Sequence, residues 1–137
     1  MNFHKLVLIF TIVFFIMFIY SGIEKIYNFD KKVTILDDKL KPIVRLPKIL
    51  LNLSMYLVIF LEIIGPIVIF TKIYYGKNAS PFLNMLSDIV FVSFIVFLIL
   101  VTVLYHQPSV SKIIPFLSNC TTLAGLIFLY IISKLIV

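Results

Sequence analysis

Charge is scarce in this chain. Six acidic and twelve basic residues among 137 make 13%, where a soluble domain carries about a quarter. So little charge excludes an ordinary water-facing surface. One cysteine, Cys120, excludes an internal disulfide and carries no signature of compartment. A free cysteine is commonly buried, so Cys120 is expected as a small packed residue at the start of the last helix. There is no Gly-rich phosphate loop, no CxxC, no HExxH and no nucleophile elbow. The two histidines, His4 and His106, fall on opposite sides of the chain's layout, so neither a metal pair nor a pair of haem ligands is expected. With no motif for an electron carrier, the residues point away from autonomous catalysis. Short segments of alternating polar and apolar residues are also missing, which speaks against a membrane β-barrel.

What is present is apolar: 62% hydrophobic residues, fourteen Phe and seven Tyr, with a mean hydropathy of +1.17. A bilayer core about 30 Å thick needs roughly 20 such residues in a helix. The chain supplies four runs, LVLIFTIVFFIMFIY (6–20), ILLNLSMYLVIFLEIIGPIVIF (49–70), FLNMLSDIVFVSFIVFLILVTVLY (82–105) and TTLAGLIFLYIISKLIV (121–137). They predict membrane helices over about 4–26, 49–71, 82–105 and 118–137. The fold class is therefore all-α: a polytopic integral membrane protein forming one antiparallel four-helix bundle over 1–137. A cleaved signal peptide is the rival reading of the first run. The residues after that run, Ile19, Tyr20, Ser21 and Gly22, make a poor small-x-small cleavage site, so the run is read as a span.

The net charge of +6 does not indicate nucleic acid. Lys25, Lys31, Lys32, Lys39, Lys41, Arg45, Lys48 and Lys112 lie in the two connections at one end and are mixed with acids rather than forming a stripe. Lys5, Lys72, Lys77 and Lys134 lie at the other end. The positive-inside rule puts the lysine-rich end in the cytoplasm and both termini outside. Residues 27–48, YNFDKKVTILDDKLKPIVRLPK, mix apolar and charged groups as a segment lying in the membrane interface does. Pro42 and Pro47 divide it into short pieces. The turn YYGKNASP is tight around Gly76, and HQPSVSKIIPF is broken by Pro108 and Pro115. Three glycosylation patterns, at Asn52, Asn78 and Asn119, lie in or near the membrane and are read as chance.

The polar groups inside this frame are the candidates for a site. Glu62 is thirteen residues into the second span, or roughly 20 Å at 1.5 Å per residue, which would place it deep in hydrocarbon. A charge there costs about 2.5–3.5 kcal/mol unless it is paired, protonated or beside a wet cavity. Pro66 lacks the N–H that would bond the carbonyl of residue 62. Gly65 and Pro66 share the face of Glu62, with Ser54 near its edge, so that thin polar face should point inward. Lys25, His106 and Asn119, with Tyr105 and Glu24, are collected at one end by the topology. The counted depth of Glu62 argues against direct contact with Lys25 or His106 unless the second helix enters the membrane later. Two readings of Glu62 stay open, a functional acid and interhelical packing glue. Asp88 is read as bonding Ser or Asn groups near the interface and is left out of the site.

SGIEKIYNF (21–29), LEIIGPIVIF (61–70), VFLILVTVLYHQP (96–108) and SNCTTLAGLIFLY (118–130) together resemble the DoxX-like family of small four-helix membrane proteins. The resemblance covers nearly the whole chain in order, except the segment between helices 1 and 2. It carries over to Gly22, Lys25, Glu62, Gly65, His106 and Asn119. The resemblance implies a redox-associated accessory subunit, in which Lys25, Glu62 and His106 line a polar pocket for a quinone-like or lipid headgroup. The alternative is a non-enzymatic assembly or interaction factor with a structural polar cluster. A small-molecule transporter is weaker, because four helices enclose little volume without forming a homo-oligomer. The partners expected are the lipid bilayer and a membrane or redox protein.

Overall fold

The computed structural model describes residues 2–106, 109 and 111–135. It contains five α-helices and, among the described residues, no strand: α1 (Phe3–Tyr27), α2 (Phe29–Leu40), α3 (Lys48–Tyr75), α4 (Pro81–Tyr105) and α5 (Ile113–Leu135). All but α2 are long and apolar enough to cross a membrane. Their ends follow from local chemistry. Asn28 leaves helical geometry between α1 and α2. Gly76 stops α3 at φ 52°, a left-handed conformation that costs glycine nothing. Ser80 caps α4, its Oγ accepting from the Leu83 N–H at 3.2 Å, and Pro81 occupies the first helical position, where its missing N–H is harmless. The same reason corrects the expected break at Pro115: that proline lies in the first turn of α5, so the last helix starts at Ile113 rather than near 118. Pro108 lies outside the described residues.

The spans pack in series, α1 on α3, α3 on α4 and α4 on α5. Phe15 and Phe18 of α1 reach the ring of Phe94 at 5.3 and 5.0 Å. Ile69, Ile73, Phe91, Leu126 and Leu129 complete a closed apolar centre. Outward, residues such as Val13, Ile16, Phe60 and Phe128 are more than half exposed. An apolar exterior of this extent suits lipid and would be an aggregation surface in water. Two glycines set the seams. A Cβ on Gly22 would stand 2.8 Å from Ile63 Cγ1, and one on Gly65 would stand 2.7 Å from the Phe94 ring. Cys120 is exposed on α5 rather than packed. Leu126 and Leu129, not the start of the helix, make the buried contacts of α5.

The segment 27–48 is more ordered than its two prolines suggest. Its first part is the amphipathic helix α2, because both prolines come after Leu40 and the preceding twelve residues can coil without interruption. Val33 is buried there against Leu51, Met55 and Ile59 of α3, with Leu36 and Leu40 beside it. Phe29 stacks on Tyr56 at 4.7 Å between ring centres. At 28 residues α3 is about 42 Å long, more than one bilayer core. The surplus first turns lie against α2, beyond the end of α1.

Candidate functional site

Glu62 and Lys25 meet at the α1–α3 seam. The Lys25 ammonium donates to both carboxylate oxygens of Glu62, at 2.9 and 2.8 Å, and to Ser21 Oγ at 2.6 Å. Ser21 in turn donates to Glu62 Oε1 at 3.3 Å. Glu62 is 2% exposed and Lys25 17%, so the acid is sealed while its partner has an opening outward. Ser21 and Lys25 are four residues apart and therefore stacked on one face of α1. Gly22, between them, lets α3 approach until the Glu62 and Ile63 side chains touch its backbone.

This geometry corrects the depth counted from the sequence. The count began where α3 begins, but the first turns of α3 pass α2 rather than α1. Glu62 lies level with Gly22, five residues or about 8 Å from the last residue of α1. Lys25 is one turn nearer that end, within reach of its own long side chain. Direct contact, disfavoured by the count, is what the fold produces.

The other candidates divide into separate groups. Asn119 Nδ2 donates to Thr102 Oγ1 at 3.2 Å, joining α5 to α4. His106 is the C-cap of α4, its backbone N–H bonding the Thr102 carbonyl. Its ring stands 6.4 Å from that of Tyr105 and, among the described residues, makes no hydrogen bond to Lys25 or Glu62. The register explains the separation. Gly65 meets Phe94, which puts Glu62 level with residue 97, and His106 is nine residues farther along α4, about 13 Å. The expected meeting of Lys25 with His106 and Asn119 is therefore corrected: they share an end of the bundle but not a pocket. Lys39 of α2 lies 5.9 Å over the Tyr105 ring. Glu24 turns away to pair with Lys32 of α2 at 3.0 Å. Ser54 bonds back to the Leu50 carbonyl of its own helix.

Gly65 and Pro66 are both buried. Pro66 borders an apolar groove of about 150 Å3 between α1 and α3, lined also by Thr11, Phe15, Ile19 and Phe70. The groove begins one turn from Glu62 and runs away from it along the same seam. One polar residue escaped the sequence reading and another was given the wrong partner. Ser21 was detectable from its i, i+4 spacing to Lys25. Asp88 does not bond Ser or Asn but pairs with Lys134, 46 residues away, which no local pattern announces. Comparison of the chain with protein-family models, with curated proteins and with solved structures finds no match, so the chemistry of this site rests on its own geometry.

Proposed function

We propose that this chain is a DoxX-like accessory subunit of the membrane, in which Ser21, Lys25 and Glu62 bind the headgroup of a quinone-like or lipid molecule. The observation that carries the reading is the buried carboxylate held by a partly open ammonium, with an apolar groove that begins one turn from Glu62 along the same seam. Ligand sites of this kind combine apolar walls with a few placed polar groups. A carbonyl or phosphate oxygen arriving from the bilayer replaces Ser21 on Lys25, while Glu62 holds the ammonium in place. His106 and Asn119 belong to a separate polar layer in this reading.

A second reading, an assembly or interaction factor, is favoured by one specific observation. The three N–H groups of Lys25 meet three acceptors, so the cluster is already closed. Mass spectrometry of small molecules retained by the purified protein in native-lipid discs separates the two. With a headgroup site, wild type retains a quinone-like or lipid species that Glu62→Gln loses while remaining as stable. With a structural clip, Glu62→Gln and the double variant Lys25→Met with Glu62→Leu retain whatever wild type retains, and the double variant, which removes both charges, is neutral or more stable. That second pattern overturns the headgroup assignment.

A further inference from the structure

The end of the bundle opposite Lys25 holds a second polar layer, to which all four long helices contribute. His4 of α1 lies with Nε2 2.6 Å from the Ile73 carbonyl of α3. Lys72, also on α3, is 2% exposed and donates to the Ser133 carbonyl of α5. Asp88 of α4 pairs with Lys134 of α5 at the rim, where both are partly exposed. Among the described residues two buried side-chain atoms have no hydrogen-bond partner, Ser87 Oγ and Asn84 Oδ1, and both are on α4. Ser87 itself is 1% exposed.

The register sets Ser87 level with Lys72. Gly65 of α3 abuts Phe94 of α4. Seven residues on from Gly65 is Lys72, and seven residues back from Phe94 is Ser87. The helices are antiparallel and seven residues are close to two turns, so both side chains leave the same faces at the same level. Asn84 follows one turn farther out on that face of α4. Lysine carries three N–H donors, and one is used by Ser133. This level of the α3–α4 contact therefore carries unused donors from Lys72 and the Ser87 hydroxyl, and unused acceptors from Ser87 Oγ and Asn84 Oδ1.

That mixture selects the ligand. A metal cation would satisfy only the acceptors and would face the ammonium. An inorganic anion would satisfy only the donors and would face the amide oxygen. Water donates and accepts, needs two to four polar partners, and is the usual occupant where buried polar atoms lack one. We propose that Lys72, Ser87 and Asn84 form an internal water-binding site, through which Lys72 exchanges protons with the aqueous phase past the Asp88–Lys134 pair. In each exchange an N–H bond of the ammonium breaks and its electron pair stays on nitrogen. The proton passes to the bound water, which releases one of its own to the water outside. The reverse transfer restores the ammonium. The charged and titratable groups around this path are His4 from α1, Asp88 from α4 and Lys134 from α5.

The alternative is a dry layer in which Lys72 only tethers α3 to α5. Water-edited solid-state NMR on the full chain, 15N-labelled at lysine and reconstituted in phosphatidylcholine bilayers, distinguishes the two. The Lys72 side-chain nitrogen, assigned by its loss in Lys72→Arg, is expected to receive magnetisation from water as fast as that of exposed Lys134. Ser87→Ala, which keeps the volume of the site nearly unchanged, is expected to slow that transfer several-fold while leaving Lys134 unaffected. A Lys72 signal that stays silent in the wild type overturns the proposal. So does a transfer rate unchanged in both Ser87→Ala and Asn84→Leu.

Discussion

At the scale of single residues, the Lys25–Glu62 pair is a conditional contact. Taking two charges out of water is costly, and the attraction between them offsets this only while both are present. Removing one partner therefore harms more than removing both. Lys25→Met leaves a carboxylate that is 2% exposed with Ser21 alone and is expected to destabilise the protein by about 3–5 kcal/mol. Lys25→Met combined with Glu62→Leu is expected to recover most of that loss. Reversible unfolding in mixed micelles, run as a double-mutant cycle, measures the coupling. A double variant as unstable as Lys25→Met would show that the pair is not the source of the loss.

Among elements, the α1–α3 seam decides whether that pair forms at all. Gly22→Val places new methyl groups against Ile63 and the Glu62 Cβ, where a single Cβ is already too close. Overpacking of this kind costs roughly 1–3 kcal/mol and should pry the seam apart at Lys25. Unfolding measurements on Gly22→Val, beside Ile23→Val on the exposed face, check the direction. The amphipathic α2 rests on fewer contacts. Val33→Asp puts a charge against Leu51 and Met55 and is expected to free α2 while the four spans persist, read as faster amide exchange confined to residues 29–40. The end of α2 carries its own pH signature. Hydrogen bonds that Lys41 donates to Asp37, then to Asp38, hold its ammonium above the ordinary lysine range. A raised folded pKa means that this pairing contributes in full below the unfolded value and is lost as pH rises through the folded one. An NMR titration of Lys41 should therefore end higher than in an Asp37→Asn variant.

For the whole molecule, four antiparallel spans return the chain to the side from which it started. His4 bonds to the end of α3 and Lys134 to the beginning of α4, so the first and last described turns lie at one end of the bundle. Cysteines placed singly at Asn2 and Leu135, in a Cys120→Ser background, should react with an impermeant maleimide from the same side. A cysteine at Val44 should react from the other. Labelling of Asn2 and Leu135 from opposite sides would sink the four-span topology. The positive-inside rule expects the Val44 side to be cytoplasmic, which the sidedness of the same labelling checks.

The sequence by itself determined the class of solvent, the number of spans and nearly all their limits. These depend on run length, on helix-stopping residues such as Gly76 and on the near absence of charge, all of which are local. It also singled out Glu62 as a residue in need of a partner, because the cost of a buried acid can be stated without knowing the fold. Tertiary structure decided which partner. The level of Glu62 depends on where α3 passes the end of α1, and that is set by the close approach at Gly22 and by α2 occupying the first turns of α3. A count along one chain measures distance along its own axis, not the offset between neighbours. The same offset moved His106 away from the pair, joined Asp88 to Lys134 and turned Lys72 inward to the Ser133 carbonyl.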